Sequence, residues 1–306
     1  MFAHKKPFVL LAISTATLIS PLSSFAKPLE VYGRINVSAQ QSDEGAGAFS
    51  ELKSNSSRFG LRGDQALEQG LTVIYRLEWE VDPSDEANER NIRSRDQFIG
   101  LRGSFGTIKA GRSDSALKLA QGNVDQFSDY EADIRALWRG ENRTSNTLMY
   151  ISPSFQGFSV QISHVMADTP NGVDGQSLAL TYGDEDLEDS KVFGSIAMDN
   201  DINGFDNQRL MLQTRWQGVI VGAGVHQQQA VVSGQKDDGY VLSLAHQWQR
   251  IEFKAQYQTL ADDNAISLGA DYRIGEDTKL YAWYSSFDLT TRLDSDYIAI
   301  GLEHRF

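Results

Sequence analysis

Cysteine is absent from the 306-residue chain, which excludes disulfides and thiolate metal sites. Basic residues are scarce: 28 Lys and Arg stand against 41 Asp and Glu, for a formal net charge of −13. A nucleic-acid binder shows a basic face, so nucleic acid is not an expected partner. Histidine is sparse too. His4, His164, His226, His246 and His304 are scattered, and none adjoins a nucleophile motif. There is no G-x-S-x-G, no P-loop and no metal-ligand pair at helical spacing. No catalytic residue, metal or cofactor is therefore expected. The mature part also lacks any apolar run of about 20 residues, which excludes helical membrane spans.

The one long apolar run is at the N-terminus. Lys5 and Lys6 precede a largely apolar stretch from Phe8 to Ile19, and Ser24-Phe25-Ala26 places small residues where a signal peptidase reads. Residues 1–26 are expected to be a secretory signal peptide cleaved after Ala26. Its removal takes away two lysines and no acid, moving the net charge from −13 to −15. Hydrophobic residues make up 41% of the chain and mean hydropathy is −0.37. Those values suit a soluble protein, but equally a transmembrane barrel, because half of each strand faces a wet lumen.

What is present, from residue 29 to the end, is alternation with period two. Ile251, Phe253, Ala255 and Tyr257 alternate with Glu252, Lys254, Gln256 and Gln258. Leu71, Val73, Tyr75, Leu77 and Trp79 alternate with Thr72, Ile74, Arg76, Glu78 and Glu80. Each such run predicts a strand with one apolar and one polar face. Short connectors such as Gly103–Gly106, Gln217-Gly218 and Gly275–Thr278 tend to alternate with longer polar ones such as 41–50, 82–92, 113–141 and 167–175. Tight periplasmic turns and longer outer loops produce this asymmetry in membrane barrels. Sixteen strands are predicted, near 29–40, 51–63, 70–82, 94–103, 106–112, 142–152, 157–166, 176–184, 190–199, 205–217, 218–229, 237–249, 250–261, 264–274, 278–288 and 295–306. The even count puts both termini at the periplasmic end.

A soluble sandwich or solenoid shows the same alternation. The secretory signal, the hairpin rhythm and the aromatic strand ends favour a membrane barrel. Trp79, Trp216, Trp248 and Tyr150 sit near strand ends, as interfacial girdles require.

Several segments carry a more specific resemblance. Val31-Tyr32-Gly33-Arg34, Ser57-Arg58-Phe59-Gly60-Leu61-Arg62-Gly63 and Phe98-Ile99-Gly100-Leu101-Arg102-Gly103 occur in order. Phe105-Gly106, Gly111-Arg112, Arg143–Tyr150, Ser152-Pro153 and Gly157-Phe158 follow. Together they resemble the general-diffusion porins of Gram-negative bacteria, densely over residues 29–165. The last strand, Tyr297 to the terminal Phe306, resembles the closing strand of outer-membrane proteins, whose terminal aromatic is read by the barrel-assembly machinery.

The resemblance implies an all-β, 16-stranded antiparallel transmembrane barrel over residues 27–306, usually trimeric, in the outer membrane among lipid and lipopolysaccharide. It implies a passive water-filled channel for small hydrophilic solutes and ions. Its third outer loop, here about 113–141, is expected to fold inward and narrow the pore. Asp125, Asp129, Glu131 and Asp133 are then the acidic side of the constriction. Arg34, Arg58, Arg76, Arg95 and Arg143 are the basic wall, with Arg93 and Arg112 as weaker candidates. Alternation places Arg34, Arg58 and Arg76 out of phase with their apolar neighbours. An arginine facing lipid at mid-depth costs roughly 2–4 kcal/mol, so these positions are expected to face water. The acidic total suggests a mild cation preference. The nearer alternative is a substrate-specific channel for sugars or anions; an outer-membrane barrel hydrolase and a surface receptor are weaker ones.

Overall fold

The computed structural model describes residues 29–84 and 91–306. The expected signal peptide and Ala26 lie outside the described residues, as does part of the 82–92 connector. The first seven strand segments are β1 (Glu30–Asp43), β2 (Ala48–Ser54), β3 (Arg58–Ala66), β4 (Thr72–Val81), β5 (Ile92–Gly103), β6 (Gly106–Asp114) and β7 (Arg143–Ile151). Then come β8 (Phe158–Val165), β9 (Gly175–Tyr182), β10 (Val192–Ile202), β11 (Phe205–Trp216) and β12 (Val219–Ala230). The last five are β13 (Lys236–Trp248), β14 (Ile251–Leu260), β15 (Asp263–Arg273), β16 (Thr278–Asp288) and β17 (Ser295–Arg305). Consecutive segments from β3 on pair antiparallel, and β17 returns to pair with β1, from Arg34↔Arg305 to Asp43↔Asp296.

Both β2 and β3 pair with β1. They are two halves of one stave, so the 17 segments form a closed ring of 16. The expected uninterrupted strand 51–63 is thus broken at Asn55–Ser57. Ser56 adopts a φ of 54°, and side chains replace the lost ladder. Ser57 Oγ accepts from Asn36 N at 2.9 Å, and Asn55 Nδ2 donates to Ser38 Oγ and Tyr281 Oη, both at 2.9 Å.

Burial is inside out. On β1, Asn36, Ser38, Gln40 and Ser42 are buried while Val31 and Ile35 are exposed. On β17, Ile298, Ile300 and Leu302 face outward. A closed ring satisfies every ladder hydrogen bond without a free edge, which is the condition for crossing hydrocarbon with strands. Closure also needs a close approach. Gly33 and Phe306 exchange backbone hydrogen bonds at 2.9 and 3.1 Å, and a Cβ on Gly33 would lie 2.4 Å from the Phe306 ring. Only glycine admits the terminal aromatic there.

The large buried apolar side chains gather where the segment between β6 and β7 meets the inner wall. This segment begins with α1 (Ala116–Leu119), capped by Ser115 Oγ, and contains a 3-10 turn at Ile134–Ala136 capped by Asp133. Inward serines hold its start: Ser163 and Ser177 accept from Ala116 N and Leu117 N, and Ser195 donates to Ala120 O. Val124, Phe127, Tyr130, Ile134 and Trp138 then pack against Met211, Val241, Tyr281, Trp283 and Phe287. Trp138 Nε1 donates to Thr259 O at 2.7 Å, and its ring stacks 4.7 Å from His226. Gly239 makes room, since a Cβ there would lie 2.8 Å from the indole nitrogen.

Two predictions follow from this packing. Ile300→Arg is expected to destabilise the barrel in lipid vesicles by about 2–4 kcal/mol, measured by urea titration; unchanged stability would contradict a lipid-facing Ile300. Trp138→Ala is expected to weaken loop docking by about 3 kcal/mol, as for large aromatic truncations. Trypsin should then cut faster after Arg135 or Arg139 than in the parent, and equal rates would show that the indole does not anchor the loop.

Candidate functional site

Neighbouring staves bring like charges together inside the barrel. Arg34 on β1 and Arg58 on β3 are direct register partners, a repulsive pairing unless an acid intervenes. Asp129 intervenes, lying 2.6 Å from Arg34 and 3.7 Å from Arg58. Arg34 also donates to Asn55 O and Ser56 O, both at 3.2 Å. The break in the second stave thus positions the guanidinium. Arg95 on β5 joins through Glu78 at 2.7 Å and Glu80 at 2.8 Å. Tyr32 Oη donates to Glu78 at 2.9 Å.

Arg76 and Arg143 belong to a second group. Both reach Asp96, at 3.2 and 2.8 Å, and Arg143 also reaches Asp114 at 2.9 Å. The five arginines expected as one wall therefore divide into three and two. Of the weaker candidates, Arg112 donates to Ser94 O and Ser145 Oγ.

The loop carboxylates also divide. Asp129 adopts a φ of 72°, a left-handed conformation that aspartate tolerates better than most residues. That conformation aims it at Arg34. Burial alone would raise its pKa, but Arg34, Arg58 and Arg95 together hold it well below the ordinary carboxylate range. Glu131 pairs with Lys53 at 2.7 Å. Asp125 instead accepts from Phe127 N, Ile134 N and Gln256 Nε2, and burial, followed by the nearby Asp133, raises its pKa. Asp133 accepts from Asp129 N and Arg135 N, both at 2.9 Å. Asp133 holds the loop's own shape, as does Asp125, which also ties the loop to Gln256 of β14; Asp129 and Glu131 meet basic groups of the wall.

Sequence reasoning passed over Glu78, Glu80, Asp96 and Asp114 as partners. Glu78 and Glu80 share the phase of Arg76, so alternation pointed to them. Asp96 was concealed. A register shift between Leu77 and Trp79 lets adjacent Arg95 and Asp96 both bond lumen groups, which strict alternation forbids. Another set lies nearer the chain termini: Lys254 and Lys279 both hold Asp271, at 3.1 and 2.7 Å, and Arg305 holds Glu303 at 2.8 Å.

The histidines stay apart. His164 lies 3.3 Å from Asp174. His246 bonds Gly218 O at 3.1 Å, and His304 bonds Thr278 Oγ1 at 2.8 Å. Among the described histidines only His226 is buried, under Trp138.

A family profile described as Gram-negative porin matches residues 10–292. The chain is 26% identical over 273 residues to the major outer membrane protein P.IB of Neisseria lactamica, covering 84% of this chain and 75% of the relative. The anion-selective porin from Comamonas acidovorans superposes with a TM-score of 0.73 at 17% identity, over 91% of this chain and 99% of that one. The in-vitro folded OmpT of Vibrio cholerae, in its trimer form, superposes with a TM-score of 0.68 at 11% identity, over 91% and 99%. At such identities the two structures speak for the fold, while the family assignment rests on the profile. With its closed ring of 16 staves, apolar outside and charged within, the chain belongs to the Gram-negative porin family, and it is an outer-membrane channel for the passive diffusion of small hydrophilic solutes.

Proposed function

We propose that this porin is a general pore with a mild cation preference, narrowed by the β6–β7 loop where it bridges to the arginine wall. The observation that carries this reading is Asp129, which the loop holds 2.6 Å from Arg34. Arginine keeps its proton at any physiological pH, and the depressed pKa of Asp129 keeps the opposing charge. Fixed charges of both signs, paired where the loop meets the wall, border the water path beside them and set a local field there that low-dielectric surroundings strengthen. Polar solutes align their dipoles in it; apolar solutes must displace oriented water. Each charged group also biases ion passage.

A general pore is favoured over a sugar or anion channel. Phe127 of the loop and Trp283 of the wall are buried in the core between the two rather than lining an open path. Lys254 and Lys279 are both held by Asp271, and Lys279 also lies 4.0 Å from Glu303, so each ammonium already has a carboxylate partner. We further propose a homotrimer, with the termini end facing the periplasm and Phe306 serving the assembly machinery.

Planar-bilayer reversal potentials in a salt gradient test the reading. The parent channel should favour cations. Arg58→Ala should raise that preference and Asp129→Asn should lower it, each by about twofold or more in permeability ratio. If both substitutions leave conductance and selectivity unchanged, the constriction lies elsewhere. A clear anion preference in the parent would refute the cation assignment.

A further inference from the structure

The turn joining β9 to β10 lies at the end of the barrel that carries both chain termini, because every second connector returns there. It reads Gly183-Asp184-Glu185-Asp186-Leu187-Glu188-Asp189-Ser190-Lys191, with five acids against one lysine. The other hairpins at this end are shorter, down to the two residues Gln217-Gly218 between β11 and β12. This longer one folds back under the lumen. Asn123 of the inner loop donates Nδ2 to Asp186 Oδ1 at 2.8 Å and to Glu185 O at 3.3 Å. The turn is ordered from within. Asp184 accepts from the backbone N–H of Asp186, Glu188 and Asp189 at 3.1, 2.7 and 3.0 Å. Leu187 is buried. Glu185 and Asp186 stay exposed and line a cavity of about 450 Å³ shared with Arg34, Lys254, Lys279 and Arg305.

We propose that Glu185 and Asp186 are selectivity-determining residues: a second charged element at the termini-side exit, below the loop. The charge arithmetic supports them. Arg34, Arg58 and Arg95 are matched by Asp129, Glu78 and Glu80. Lys254, Lys279 and Arg305 are largely matched by Asp271 and Glu303. Against walls so nearly balanced, the two turn carboxylates supply negative charge with no cationic partner among the described residues within ion-pairing distance of either. They raise local cation concentration at the mouth and repel anions leaving the gap. The tie to Asn123 keeps that charge over the water path. This deepens the cation reading given above but does not depend on its sign, because the test reads a shift between variants.

The experiment is the reversal potential of the full channel in bilayers bathed in KCl. Glu185→Gln with Asp186→Asn should lower the cation-to-anion permeability ratio by about twofold near 0.1 M salt, where the Debye length is about 10 Å, and the shift should shrink near 1 M, where it is about 3 Å. Glu188→Gln with Asp189→Asn makes the same charge change on residues that do not line the cavity, and should shift the ratio much less. An unchanged ratio in the first pair overturns the proposal, as does an equal shift in the second pair. A shift that persists at 1 M also overturns it, because that marks a change of shape. Because the chain has no cysteine, Asp186→Cys gives a unique thiol for a second test. Positively and negatively charged thiol reagents on the same inserted channel should move the ratio in opposite directions; identical shifts refute the assignment.

Discussion

The structure depends on one constraint: a strand that crosses hydrocarbon must leave no backbone N–H or C=O unpaired. A ring satisfies it and an open sheet does not. Once the ring closes, the two faces of every strand meet different solvents, which is why Asn36 and Ser38 are buried while Val31 and Ile35 are not. The close seat of Phe306 on Gly33 belongs to the same constraint, since the last ladder must join the first. The ring cannot collapse on itself to form a core, so the large apolar side chains have somewhere to go only if another segment enters. The β6–β7 loop is that segment. Among the described residues, the wall partners of its apolar side chains come from β7 to β17, including Met149, Met211, Val241 and Trp283, and none from β1 to β6.

That asymmetry makes the charge pattern intelligible. The side the loop does not cover with apolar contacts, β1 to β6, carries Arg34, Arg58, Arg76 and Arg95. Sheet register forces Arg34 and Arg58 to face each other, and their repulsion is relieved by an acid brought from the loop. Loop position and wall charge are therefore mutually dependent. Asp129 is held in place by the arginines it neutralises, and the arginines tolerate their register because it is there.

Much of this was legible in the sequence because a two-residue period leaves a mark on every strand. The predicted spans match the observed ones to within about three residues, and Arg34, Arg58 and Arg76 were set apart by phase alone. What stayed hidden breaks the period or spans the lumen. The Asn55–Ser57 break looks like continuous strand, because side chains rather than a turn motif fill the gap. Arg95 and Asp96 share a side through a register shift that no local composition announces. The division of labour among Asp125, Asp129, Glu131 and Asp133 depends on which way each short segment of the loop turns. Four acids close together in sequence carry no sign of that.

The loop is held from three directions: by serines on β8 to β10, by the apolar contacts on β11 to β17, and by the ion pair to β1. The contact of Asn123 with the β9–β10 turn adds a hold from the termini side. A segment fixed on so many sides cannot swing aside as a hinge without giving up several contacts together. Selectivity in such a channel is therefore a property of fixed charge and fixed width. It should respond to substitutions through the field they change, and only where an anchor such as Trp138 is removed should it respond through the width of the path.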